Sequence, residues 1–126
     1  MSKRSVVLDF DGVIHSYTTK FKFPWIISDP PVEGAMKFIH EASKQFTVKI
    51  FSTRSANEKG LKAMYNYIEK YGIAECGEDF KKTMKKIKFP TGHKPSATLF
   101  IDDRGYQFNG KFPSLDYIEN FKTWNK

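Results

Sequence analysis

Four aspartates stand in two short motifs, and each motif closes an apolar run. Val6-Val7-Leu8 leads into Asp9-Phe10-Asp11-Gly12-Val13, and Ala97-Thr98-Leu99-Phe100-Ile101 leads into Asp102-Asp103. Carboxylates serve as hard oxygen ligands, nucleophiles or proton carriers according to their surroundings. Four of them gathered in one place repel each other until a cation joins them, and oxygen donors favour Mg²⁺. Such a cation suits phosphoryl transfer, where charge on the transferring group must be offset. The expected chemistry is therefore metal-assisted phosphoryl transfer, provided the fold brings both motifs to one edge.

Strands must do that positioning. Short apolar runs bounded by turn residues read as strands buried on both faces. Open parallel sheets bind their ligands at the carboxyl ends of such strands. The pattern predicts strands over Ser5–Phe10, Thr47–Phe51 and Ala97–Asp102. Residues 14–29 carry Tyr17, Phe21, Phe23, Pro24 and Trp25 without a helical period, and are expected to form a short flap over the rim.

Pro30-Pro31 ends the flap and introduces a helix over Val32–Gln45, with Ala35, Phe38, Ile39, Ala42 and Phe46 on its apolar face. A second helix over Glu58–Tyr71 turns Leu61, Met64, Tyr65 and Ile68 inward, with Gly72 as its stop. Residues 79–89 read as a lysine-rich helix, or as a short helix and then a strand at Ile87–Phe89. A last helix over Ser114–Thr123 is expected to bury Leu115, Ile118 and Phe121. Strand–helix alternation predicts an α/β fold: a three-layer, Rossmann-like parallel sheet with right-handed crossovers.

The 126 residues suit one domain spanning the whole chain. A hydrophobic share of 40% is too high for a disordered basic chain. The lone Cys76 excludes an internal disulfide and a multi-cysteine zinc site, and His15, His40 and His93 lack metal-ligand spacing. No run reaches the ~18 apolar residues of a membrane span. Met1-Ser2-Lys3-Arg4 leads straight into a short strand, so a cytoplasmic location is expected. The formal charge of +7 points to polyanionic partners. Lys81, Lys82, Lys85, Lys86 and Lys88 read as a solvated face or as a track for a nucleic-acid backbone.

In chain order, the polar residues at strand ends are Asp9 and Asp11, then Ser52 or Thr53, then Lys94, then Asp102-Asp103. This order resembles the four-motif signature of the haloacid dehalogenase (HAD) superfamily, over Val6 to about Gly110. The stretch from Lys94 to Arg104 is especially similar to small capless hydrolases of phage and bacterial genomes. Response-regulator receivers share the residue types, but their phosphorylated aspartate follows the third strand, which does not fit here.

The resemblance implies a role for each residue. Asp9 is the expected nucleophile, forming an aspartyl-phosphate, and Asp11 the expected acid and base, with a raised pKa. Ser52, or in competition Thr53, binds a phosphoryl oxygen, and Lys94 offsets charge. Asp102 ligates Mg²⁺ with the Asp9 side chain and the Asp11 carbonyl, and Asp103 does so directly or through water. Gly12 lets the chain turn off the strand and, with Thr53 and Arg54, is expected at the substrate. An aspartate at position 11 is similar to the phosphatase and phosphomutase branch. Phosphomutases usually carry a cap domain, for which this chain has no room.

A Mg²⁺-dependent phosphate monoester hydrolase is thus expected, with no membrane partner and with nucleic-acid ends or nucleotides favoured as substrates. The alternative is an inactive module of the same fold that holds nucleic acid on a basic face.

Overall fold

The computed structural model describes residues 4–126. Its elements run β1 (Ser5–Asp9), α1 (Ala35–Ala42), β2 (Thr47–Phe51), a 3-10 turn (Thr53–Ala56), α2 (Glu58–Cys76), α3 (Phe80–Lys86), β3 (Leu99–Ile101) and α4 (Leu115–Glu119). The three strands pair in parallel in the order β2-β1-β3. Asp9 lies opposite Phe51, and Leu8 opposite Ile101. Parallel pairing puts all three carboxyl ends on one edge. Because β1 is central, Asp9 is flanked by Ser52 on one side and Asp102 on the other.

Side chains alternate across a strand. Val6, Leu8, Val48 and Ile50 enter a core with Met36 and Ile39 of α1, Met64 and Ile68 of α2, and Phe80 and Met84 of α3. The opposite face carries Val7, Lys49 and Phe100 in register. Among the described residues no helix packs on this face to form the expected third layer. α4 buries none of its residues, and Leu115 and Ile118 are 83% and 60% exposed. A five-residue helix is too short to roof a sheet. The fold is α/β with a small parallel sheet, layered by α1–α3 on one face.

Helix boundaries differ from the sequence expectation for local reasons. α1 begins at Ala35, and Met36 takes the buried place expected of Phe38, which is exposed, as is Phe46. α2 continues through Gly72 because the Phe80 ring packs onto that residue, where a Cβ would collide with it. The helix ends instead at Gly77, whose φ of +84° only glycine adopts readily. Tyr67, rather than Tyr65, is buried on its inner face. Of the two readings for residues 79–89, the helix followed by a strand is nearer. The strand shrinks to one parallel bridge between Lys88 and Lys49, carried by Lys88 N–H to Val48 O and Ile50 N–H to Lys88 O, each 2.9 Å. Pro90 supplies no amide to extend it.

The chain's end returns to the rim. Trp124 Nε1 donates to the Gly12 carbonyl at 2.7 Å, and Asn125 Nδ2 to the Ser16 carbonyl at 2.8 Å. Among the described residues, no helix is long and apolar enough to cross a membrane.

Candidate active site

A cleft of about 530 Å³ opens at the carboxyl ends of the strands and continues onto the uncovered sheet face. Asp9, Asp11, Ser52, Thr53, Lys94, Asp102 and Asp103 all line it. The structure therefore gathers the expected catalytic and metal-ligating side chains from four separate segments. Gly12 and Arg54 are not among its lining.

Asp9 ends β1, and its Oδ1 accepts the Phe10 N–H at 2.9 Å. Burial raises its pKa most, the Phe10 amide draws it back, and the charges of Asp103, Asp11 and Asp102 push it up again, to about 6. Asp102 shapes the turn after β3, its Oδ1 accepting from the amides of Arg104, at 3.0 Å, and Gly105. Asp103 comes up against Gly12, where a Cβ would strike its carboxylate; the φ of +84° at Gly12 is equally unsuited to a side chain. Among the described residues, no three His, Cys, Asp or Glu side chains form a ready-made metal cage. Asp9, Asp102 and Asp103 nonetheless present hard oxygen donors whose mutual repulsion raises the Asp9 pKa, and this chemistry fits a divalent cation such as Mg²⁺.

Asp11 is held from both sides. Its Oδ1 accepts from His15 Nδ1 at 2.8 Å, and its Oδ2 from Arg54 Nε at 2.9 Å. His15 Nε2 accepts the Asp29 N–H at 3.1 Å, so the imidazole proton sits on Nδ1 and points at Asp11. Burial tends to raise the Asp11 pKa, but the hydrogen bonds from His15 and Arg54, with the Arg54 charge, outweigh it and lower the pKa below the ordinary value. This corrects the expected raised pKa. The clamp also leaves the Asp11 side chain committed, so a cation would meet this residue only through its backbone.

Arg54 follows β2 in a 3-10 turn, with Ser52 Oγ accepting its N–H at 3.1 Å. The guanidinium is 1% exposed. Its Nη1 donates to the carbonyls of Phe23, Pro24 and Ile26 at 3.3, 2.8 and 3.0 Å. Arg54 is thus a buried tie between flap and site, which corrects its expected place at the substrate. Gly12 is corrected likewise: its N–H donates to the His15 carbonyl at 2.8 Å and its own carbonyl is taken by Trp124. Ser52 and Thr53 both face the cleft, Ser52 buried and Thr53 exposed. Accepting from Arg54 leaves the Ser52 O–H free to donate. Lys94 is exposed at the cleft with its Nζ 4.6 Å from the centroid of the Phe100 ring.

The flap is an irregular loop rather than a hairpin. A bridge between His15 and Pro31 closes its neck, with Ser16 N–H to Pro30 O at 3.1 Å and Val32 N–H to Ile14 O at 2.8 Å. Inside, Asp29 accepts from the Thr19 amide and hydroxyl at 2.7 and 2.6 Å, while Tyr67 Oη donates to the Asp29 carbonyl at 2.8 Å. His15, Asp29 and Tyr67 were not legible as site residues. A histidine four residues after Asp11 was the available sign for the first. Two members of the lysine cluster pair with acids one turn away, Lys81 with Glu78 at 3.0 Å and Lys82 with Asp79 at 3.8 Å, as on a solvated helix face. Comparison with protein-family models, curated proteins and solved structures gives no match to this chain.

Proposed function

We propose that this chain is a phosphate monoester hydrolase of HAD type, dependent on Mg²⁺ and working through an aspartyl-phosphate on Asp9. One observation carries the reading: Asp9, Asp11, Ser52, Lys94, Asp102 and Asp103, distant in sequence, line a single cleft. The sheet is small for a Rossmann-like core, so the reading rests on these residues rather than on the strand count.

Asp9, with a pKa of about 6, is mostly ionised at neutral pH. Its carboxylate attacks phosphorus, a P–O bond forms to Asp9, and the ester P–O bond breaks with its electron pair on the leaving oxygen. The Ser52 hydroxyl and the Lys94 ammonium stabilise the phosphoryl oxygens. In the second step water attacks phosphorus and the P–O bond to Asp9 breaks, returning the Asp9 carboxylate and releasing phosphate. Asp11, kept ionised by His15 and Arg54, is free to accept the water's proton, although its lowered pKa makes it a weak base. The same clamp makes Asp11 a reluctant acid in the first step, which favours leaving groups that depart without a proton. Mg²⁺, held by Asp9, Asp102 and Asp103, would supply charge neutralisation for the transferring group.

The test is hydrolysis of p-nitrophenyl phosphate, whose leaving group departs as the anion. Wild type should turn over with Mg²⁺ and stop in EDTA, and Asp9→Asn should fall to background. Absence of turnover by wild type with saturating Mg²⁺, on this ester and on nucleotide and sugar monophosphates, refutes the proposal.

A further inference from the structure

We infer that the flap is a stacking platform for single-stranded nucleic acid, and that the phosphate cleaved at Asp9 is the terminal phosphate of such a strand. The second half rests on the phosphatase reading; the first stands on the flap itself.

In Lys20-Phe21-Lys22-Phe23-Pro24-Trp25, cation and ring alternate as far as Phe23, and Trp25 adds a third ring after Pro24. None of the three rings is hidden: Phe21, Phe23 and Trp25 are 44%, 51% and 40% exposed. Three aromatic rings open to water on one short loop are a marker of an interaction surface. Phe23 and Trp25 lie nearly parallel, 11° apart with centroids at 5.1 Å, and Lys59 Nζ stands 5.2 Å from the Trp25 ring. Lys20, Lys22 and Lys59 are themselves exposed. Flat rings beside ammonium groups meet both needs of an unpaired strand, faces on which bases stack and cations for its phosphates. A duplex keeps its base faces covered, and a sugar phosphate has none. The formal charge of +7 complements such a polyanion.

The platform is also fixed next to the chemistry. One guanidinium, that of Arg54, holds the carbonyls of Phe23, Pro24 and Ile26 and the carboxylate of Asp11. The tip is therefore ordered before any ligand arrives, which spares the cost of ordering it on binding. Tyr17 adds a ring in the cleft itself. Its φ of +57° is a strained conformation for tyrosine, and Asn125 Nδ2 holds its carbonyl at 3.3 Å. Aromatic side chains thus stand both in the cleft and on the flap.

The experiment is fluorescence anisotropy of a short oligodeoxythymidylate carrying a terminal phosphate, in EDTA so that nothing turns over. Wild type should bind it, more weakly as salt rises. Phe23→Ala/Trp25→Ala should weaken binding about tenfold or more, while Trp25→Phe keeps most of it. Lys20→Ala/Lys22→Ala should flatten the salt dependence. Circular dichroism confirms that each exposed-residue variant is folded. Equal affinity of the double-ring variant and wild type overturns the platform, as does binding to phosphatidylserine vesicles with none to the oligonucleotide. Turnover of p-nitrophenyl phosphate separates the two readings. If it is present and the strand does not bind, the platform alone falls. If it is absent with saturating Mg²⁺, as is turnover of nucleotide and sugar monophosphates and of the oligonucleotide's own terminal phosphate, and the strand binds through these rings, the phosphatase reading falls and the platform stands.

Discussion

Arg54 donates from Nε to Asp11 Oδ2 at 2.9 Å, and the pair lies where the flap meets the sheet rim. Its arginine is almost wholly buried, and the other side of the fork is filled by three main-chain carbonyls. Arginine suits this place because its planar fork donates in several fixed directions at once; lysine offers a single point charge.

Arg54→Met should therefore destabilise the protein by about 3–5 kcal/mol, since it takes the cation from the Asp11 carboxylate and the side-chain donor from three flap carbonyls. Arg54→Lys should recover only part of this. Urea denaturation followed by circular dichroism measures both, and a loss below about 1 kcal/mol for Arg54→Met would show that the pair contributes little.

Asp9 opposes folding in the absence of a cation. Its pKa in the folded protein is about 6, against an ordinary 3.8, so the folded state binds this proton more tightly than the unfolded chain does. Stability contributed by the protonated acid is present below about pH 4 and is lost as pH rises through about 6. In EDTA, Asp9→Asn should be more stable than wild type at neutral pH by roughly 1–2 kcal/mol, after discounting for solvent screening at a partly exposed group. Near pH 4 the two should melt together. A variant that melts below wild type at neutral pH contradicts the electrostatic account.

Mg²⁺ should offset both the burial of the Asp9 charge and its repulsion by Asp103, Asp11 and Asp102. A divalent ion at a hundredfold excess over its dissociation constant adds about 2.7 kcal/mol, visible as a rise of several degrees in Tm. The rise should be smaller at about pH 5, where the Asp9 proton competes with the cation. Asp102→Asn and Asp103→Asn should each reduce it. Thermal melts with and without Mg²⁺ suffice, and an unchanged Tm at neutral pH counts against the cation site.

Gly12→Ala tests how closely the two acidic motifs must approach. The new methyl meets the Asp103 carboxylate, and the backbone is held at φ +84°. A loss of about 1–3 kcal/mol is expected from the strained backbone, together with a weaker response to Mg²⁺. A melting curve that overlays the wild type would mean that Asp103 moves aside freely.

The sheet and the site motifs were legible in the sequence because their signals are local. Apolar runs ending in Asp9, Phe51 and Asp102 mark strands whatever surrounds them, and parallel pairing then carries their ends to one rim. Helix limits were less legible because tertiary contacts set them: Gly72 reads as a stop until the Phe80 ring is seen against it. α4 shows the reverse, with an apolar pattern at Leu115 and Ile118 that finds nothing to pack on within the described residues. The roles of Arg54 and His15 were hidden for another reason. Apart from the Asp11 carboxylate, their hydrogen-bond partners are carbonyls and an amide of the flap, and main-chain groups leave no signature in a sequence.

That last point bears on how this protein can change. Arg54 hydrogen-bonds the flap through its carbonyls, with the Phe21 ring 5.0 Å from the guanidinium, and the neck is closed by main-chain bonds between Ser16 and Pro30 and between Ile14 and Val32. Any residue supplies a carbonyl. The side chains at positions 23 and 25 can therefore be exchanged while the anchor beneath them stays the same. The tip can vary while the Asp11–Arg54 pair beneath it stays fixed, and a library randomised at those two positions would sample new surfaces on an unaltered scaffold.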